Sequence, residues 1–320
     1  MLNVENAGYN GIYLPECRLA MDGSHPEAKY TFITHAHSDH LPGNRQSTVW
    51  CTHPTYEFMQ RRGFKGKAHI IEFGDTIVLE SCRVSVYPAG HILGSAMFFV
   101  EKNQQSLFYT GDCRTPASPA TEGFDRPDRT DFLVLDATFS LPIYRWKSHD
   151  ELASELRDFA IQTLNESYTP VFLGYNLGKA QELLHLLAPL NHPMQIHGAG
   201  YKLCSIYEKE SVDLGDYGAY DRESCEGKIL VTTSSALNRG FASNIKIKRV
   251  AYCSGWAALE SCRTQLNADK LIPISDHIDF FEMLKLCDSM NPQKVYIAHS
   301  PNPDVLKYYL EKKGIQAAVI

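Results

Sequence analysis

Short apolar runs, rich in β-branched and aromatic residues and separated by Gly, Pro, Asn and Asp, dominate the chain up to residue 135, a spacing that predicts strands. Residues 9–21 suggest a hairpin, with Asp22-Gly23 as a turn. Residues 29–34 (K-Y-T-F-I-T) and 48–52 read as buried strands, and His53-Pro54-Thr55 opens a short helix over 56–62. Further strands are predicted over 70–73, 76–79, 82–87, 96–100, 106–110 and 132–135. The period then changes. Leu152, Leu156, Phe159, Ala160, Thr163 and Leu164 share one face of a helix that Ser148 and Glu151 would cap. Strands over 170–174, 194–196, 228–232 and 247–253 and a helix over 177–187 make residues 145–268 a separate lobe of alternating strands and helices. The pattern thus divides the chain into a first domain part, 1–144, an inserted α/β domain, 145–268, and a return segment, 269–320.

Composition narrows the class. The net charge of −6 argues against a protein that coats nucleic acid through overall basicity, but a local basic groove or bound cations can still reverse the potential at one site. Nine cysteines, an odd number without a C-x-x-C pair, read as reduced core residues and fit neither a zinc ribbon nor a disulfide scaffold. No apolar stretch reaches bilayer length and the start M-L-N-V-E-N lacks a signal-sequence pattern, so a cytoplasmic protein without a membrane partner is expected.

The chemistry concentrates at strand ends. His35, His37, Asp39 and His40 lie within six residues, and on an extended segment His35 and His37 point to the same side and can reach one ion. His91, between Gly90 and Gly94, Asp112 after Gly111, and Asp136, His277 and His299 each follow a predicted strand. The turn from Gly174 to Lys179 is one residue short of a P-loop and has Ala180 where the hydroxyl residue belongs, so no nucleotide site is expected there. Among the local basic groups, Arg145-Trp146-Lys147 pairs charge with a stacking aromatic and is the best candidate for touching a substrate.

The order H-A-H-S-D-H, G-H-I-L-G-S, G-D and a strand-end acid resembles the metallo-β-lactamase superfamily. That resemblance implies an α/β fold, an αββα sandwich, with two metal ions at the sheet edge. The first would be held by His35, His37 and His91, the second by Asp39 and His40, with Asp112 bridging. Asp136, His277 and His299 after an inserted lobe resemble motifs A, B and C of the β-CASP nuclease branch, in which motif C is His in mostly RNA-acting members and Val in certain DNA-repair members. Stretches such as T-F-S-L-P-I-Y-R-W, Y-N-L-G-K-A-Q and C-S-G-W are similar to the bacterial ligase-associated DNA exonucleases. The implied function is a metal-dependent nuclease, foremost a DNA exonuclease in repair, with a DNA ligase and a helicase as partners. Asp39, Asp136 and His277 would be its catalytic residues, with His277 protonating the leaving oxygen, and His299 would complete the second metal site. Zinc suits the histidine-rich set, and manganese is the alternative. An RNA nuclease of the RNase J or pre-mRNA 3′-end-processing type is the competing reading. A small-molecule metallo-hydrolase fits less well, because such a substrate needs no inserted lobe.

Overall fold

The computed structural model describes residues 2–8 and 11–320, so Tyr9, where the first hairpin was expected to begin, lies outside the described residues. Two compact units emerge: one formed by Met1–Ala117, Thr121–Arg145 and His277–Ile320, the other by Ser118–Ala120 and Trp146–Asp276. In the first unit, β1 (Glu5–Asn6), β2 (Ile12–Leu14), β3 (Leu19–Met21), β4 (Tyr30–Phe32), β5 (Thr48–Cys51) and β6 (Lys67–Ile70) lie side by side in chain order. The reversal between β2 and β3 is made by Pro15–Cys17 and a left-handed Arg18. Asp22-Gly23 therefore follows the hairpin and does not close it. Helix α1 (His53–Arg61) starts at Thr52, whose hydroxyl accepts the Thr55 N–H, and buries Phe58 and Met59.

A second sheet begins with β7 (Thr76–Val78), β8 (Arg83–Pro88), β9 (Ala96–Lys102) and β10 (Gln105–Tyr109), an antiparallel meander, and continues with β11 (Phe132–Asp136), parallel to β10. After β11 the chain enters the second unit through α2 (His149–Asn165), where Ser148 and Glu151 form the capping box. There β12 (Thr169–Leu173), α3 (Lys179–Leu187), β13 (Met194–Ile196), α4 (Gly198–Lys209), β14 (Tyr217–Ala219), β15 (Ile229–Thr232), α5 (Ser234–Asn238), β16 (Lys248–Cys253), α6 (Ser261–Leu266) and β17 (Lys270–Ile272) build a six-stranded parallel sheet in the order β14-β13-β15-β12-β16-β17. Helices on parallel crossovers cover both faces of such a sheet, which is why every residue of β12 and β15 is buried. Strand β17 lies past residue 268, where the insert was expected to end, and its pairing with β16 carries the second unit to Asp276. Lys179, in the turn that mimics a P-loop, is buried against the Glu182 carboxylate and is 3.8 Å from Asp276, so its charge is neutralised inside the unit.

The return segment completes the second sheet. α7 (Phe280–Met290), β18 (Lys294–Ala298), α8 (Pro303–Lys312) and β19 (Gln316–Val319) follow, giving the order β19-β18-β11-β10-β9-β8-β7. Strand alternation divides the sheet between two cores. Phe98, Val100, Leu107, Tyr109, Phe132 and Val134 pack with Ile12, Leu14, Leu19, Met21 and Phe32 of the first sheet. Their neighbours Met97, Phe108, Leu133 and Leu135 pack with Phe280, Met283, Leu286, Leu306 and Leu310 of α7 and α8. This is the αββα layering that the resemblance implies. Among the described residues no helix is long and apolar enough to cross a membrane, and all nine cysteines are unpaired thiols, eight of them buried.

Helix α7 carries a pH-sensitive cap. The Asp279 carboxylate accepts the N–H groups of Phe281 and Glu282, and Glu282 accepts the Asp279 N–H in return. Burial, aided by the Asp279 charge and opposed by that hydrogen bond, pushes the Glu282 carboxyl up to about 7 from its ordinary 4.5. Between those values the folded chain keeps a proton that the unfolded chain has released, so this group's contribution to stability falls as pH rises through the window and is level above it. Glu282→Gln keeps an acceptor but cannot ionise, and should shrink the drop in melting temperature between about pH 5 and about pH 8. An undiminished drop in the variant would refute the assignment.

Candidate metal centre

The histidine cluster sits in the loop that leaves β4, and backbone contacts hold that loop in place. Thr34 donates both its N–H and its hydroxyl to the Asp22 carboxylate, at 2.8 and 2.7 Å, and its carbonyl accepts the Ala96 N–H. The Thr34 hydroxyl is 2.9 Å from His35 Nδ1, which leaves His35 Nε2 to face inward. His37 Nδ1 lies 3.0 Å from His35 Nε2 and 3.2 Å from His91 Nε2. Asp112 Oδ2 is 3.5 Å from His35 Nε2 and 3.7 Å from His91 Nε2. Nitrogen donors on a tetrahedral zinc at about 2.0–2.1 Å are themselves about 3.3–3.4 Å apart, so these four atoms have the spacing of a ligand set around one ion.

A second set shares Asp112. His40 Nε2 is 3.4 Å from Asp112 Oδ2, and His299 Nδ1 is 3.1 Å from Asp112 Oδ1. His40, Asp112 and His299 form a group compact enough for an ion, as do His35, His37, His91 and Asp112. Asp39 stands at the margin of the second group, 57% exposed, with Oδ2 3.9 Å from His40 Nε2. His299 reaches Asp112 because its backbone turns left-handed, φ 59°, directly after β18. Gly111 solves a related problem before Asp112: at φ 49°, a Cβ there would meet the Thr34 side chain at 2.7 Å, so only glycine lets this strand end pass the loop.

His277 and Asp136 form a distinct pair beside these groups. Asp136 is buried at the end of β11, and its Oδ2 is 2.9 Å from His277 Nδ1. Its Oδ1 accepts the Thr138 N–H at 3.0 Å and the Thr138 hydroxyl at 2.8 Å. With Nδ1 so engaged, His277 Nε2 lies 4.0 Å from Asp112 Oδ2, and the ring, 19% exposed, is tilted against His91. Of the expected substrate contacts, Arg145 is exposed over the Phe281 ring, whereas the Lys147 ammonium is paired with Glu155 of the second unit. Trp146 also belongs to the second unit and is half-buried.

Electrostatics follow from one carboxylate among many imidazoles. Burial favours the neutral acid at Asp112, but His40, His277 and His299 outweigh it and hold the carboxyl well below its usual range. Burial, with the His40 charge adding to it, drives His35 well below the ordinary histidine value, leaving a neutral ring of the kind that can hold an ion. At His40 burial acts in the same direction, yet Asp112 and Asp22 overcome it and raise the ring well above that value. His299 is raised against burial chiefly by its hydrogen bond to Asp112.

Sequence reasoning missed Asp22. Fully buried, it accepts from Thr34 twice, from the Tyr109 hydroxyl at 2.9 Å, and faces His40 Nδ1 at 2.8 Å. It thus fixes which His40 nitrogen is presented to Asp112, as a carboxylate would behind a histidine placed to hold an ion. Asp-Gly is a standard turn signal, and only the apolar run before it hinted at burial.

Residues 15–154 match the family model described as a β-lactamase superfamily domain. A protein of Opitutus terrae named a probable DNA ligase is 30% identical over 314 residues, which are 97% of this chain and 30% of that protein. An RNase J-like protein of Methanocaldococcus jannaschii is 25% identical over 212 residues, 58% of this chain and 50% of that protein. The chain therefore spans half or less of the length of these curated relatives. A crystal structure of a protein of unknown function from Enterococcus faecalis has the same fold, with a TM-score of 0.60 at 13% identity, over 93% of this chain and 80% of that one.

Asp22→Asn keeps the size of the side chain and, with its oxygen in the Oδ2 position, still accepts from Tyr109 and the Thr34 hydroxyl. It sets an NH2 against the Thr34 N–H, however, and removes the charge behind His40, so its fold is checked by circular dichroism before metal is added. Affinity for Zn²⁺, measured by competition with a chromogenic chelator, is expected to fall about 10–100-fold. An unaltered affinity would remove Asp22 from the metal centre.

Proposed function

We propose that this chain belongs to the metallo-β-lactamase superfamily and to its β-CASP branch, as its likeness to the β-lactamase superfamily domain and to the RNase J-like protein supports, and that it is a metal-dependent nuclease that hydrolyses phosphodiester bonds. Its preferred substrate is DNA, as single strands or ends, met during repair in the cytoplasm. The observation that carries the reading is the convergence of two donor groups on Asp112 with the His277–Asp136 pair alongside. A small-molecule hydrolase would need neither that pair nor the second unit with its six-stranded sheet. The DNA preference and a working association with a ligase are supported by the likeness to the Opitutus protein, most of whose length lies outside the match. A helicase would be the other partner in such a repair step.

In this reading His35, His37, His91 and Asp112 hold one divalent ion, and His40, His299, Asp112 and Asp39 hold the other. Zinc suits these donors and manganese is the second choice. The ions supply Lewis acidity and positive charge, which draw in a phosphodiester anion and ease deprotonation of the attacking water. His277 then does the proton work. Asp136 holds the proton on His277 Nδ1 and stabilises the imidazolium, so that Nε2–H is aimed at the phosphate and is given to the oxygen of the departing nucleotide. Thr138, by donating twice to Asp136, keeps that carboxylate turned toward His277.

A second reading, an RNA nuclease, is favoured by the histidine in the last motif, His299, and by the likeness to the RNase J-like protein. Strands of DNA and RNA labelled at the 5′ or the 3′ end, incubated with Zn²⁺ or Mn²⁺, separate the two. Mononucleotides released from DNA are the expected result, cleavage of RNA alone would establish the second reading, and no cleavage of either would sink the nuclease proposal.

Two substitutions apportion the roles. His277→Ala should retain its metal, measured by elemental analysis, while turnover falls by about 10²–10⁴. Asp39→Ala should lose metal instead. Normal turnover in His277→Ala, or activity that survives removal of both metals, would overturn the scheme.

A further inference from the structure

Helices α7 and α8 of the first unit carry a row of rings that the metal centre does not use. Phe281 meets Phe280 at 5.4 Å between centroids, Phe280 meets Tyr309 at 5.2 Å, and Tyr309 meets Tyr308 at 5.6 Å, each edge to face. Phe280 is buried and anchors the row in the core, whereas Phe281, Tyr309 and Tyr308 are 44%, 39% and 53% exposed. A cation lies over each end. The Arg145 guanidinium is 5.3 Å above Phe281, and the Lys312 ammonium is 4.5 Å above Tyr308. Nearby Lys313 and Lys307 are neutralised by Asp288 and Glu311. Arg145 and Lys312 have no carboxylate partner among the described residues.

The row also has a direction. Arg145 follows Tyr144, whose ring packs on Phe139 at 4.8 Å, and Phe139 in turn packs on His277 at 5.9 Å. Buried Phe139 and Tyr144, and then the Arg145 guanidinium, therefore connect the proton-donating histidine to the near end of the exposed row, at Phe281. Exposed rings capped by unpaired cations complement a ligand that alternates flat π faces with anions. A nucleic-acid strand has that alternation, but in a duplex the base faces are already stacked on one another. Only an unpaired strand can offer them.

We infer that Phe281, Tyr309 and Tyr308 form a stacking track for the bases of a single nucleic-acid strand leading away from His277, with Arg145 and Lys312 on its phosphates. The inference rests on the nuclease reading and adds to it the strand's path and the rings and cations that grip it. An enzyme that grips its substrate along such a track prefers long strands to short ones, because only a long strand occupies the outer rings.

Cleavage kinetics of the full, metal-loaded chain on thymidine strands of about 4 and about 20 nucleotides read this preference directly. The double variant Tyr308→Leu/Tyr309→Leu keeps apolar bulk at two exposed positions while removing the rings. Its KM for the long strand should rise roughly tenfold or more, at the usual worth of a base–aromatic stack, and the preference for length should flatten. Lys312→Gln, which disturbs no buried group, should lower the slope of log(kcat/KM) against log salt by about 0.7. A length preference that persists in the double variant, equal rates on both lengths in the wild type, or faster cleavage of a blunt duplex would each overturn the track while the nuclease reading stands. No cleavage by the wild type of these strands or of uridine strands of the same lengths would remove the nuclease reading itself, and the track with it.

Discussion

A single buried carboxylate governs the architecture of the first unit. Asp112 faces His35, His40, His91, His277 and His299, all within 4.0 Å, and these five rings come from segments spread across most of the chain. Imidazoles this close repel one another once protonated, and each loses hydration on burial. The negative charge of Asp112 offsets both costs. It can do so only at the end of β10, where β4, β8, β11 and β18 also stop or turn, so the two sheets must pack with these ends on one side. Asp22 plays a smaller version of the part behind His40, and Asp136 behind His277.

That dependence explains which features could be read from the residues. His35, His37, His91, Asp112 and His299 each follow an apolar run, so the chain itself announces a strand and then a ligand type. Alternation along β9 and β11 likewise foretells two cores, because successive residues must face opposite sides. Asp22 was not legible in this way. The pair Asp22-Gly23 is a turn signal whether the carboxylate ends in water or under a histidine, and what decides is the arrival of Tyr109 and Thr34 from elsewhere in the fold.

The limits at the insert have a similar cause. Residues 269–276 look like a return to the first domain because they lead straight into His277. Whether a three-residue strand such as Lys270–Ile272 joins one sheet or another depends on its pairing partner, Ala251–Cys253, and pairing leaves no mark in so short a run. The basic stretch Arg145-Trp146-Lys147 shows the same limit on side chains. Adjacent cations look equivalent in sequence, but Glu155 on α2 neutralises Lys147 while Arg145 is left over a ring.

The left-handed backbone at His299 also limits which residues this position can hold. A β-branched residue is strongly disfavoured at φ 59°, where histidine is far better tolerated. Exchange of His299 for valine in this chain would therefore strain the backbone as well as remove the ring. The strand end would first have to straighten, moving the backbone that now places Nδ1 3.1 Å from Asp112.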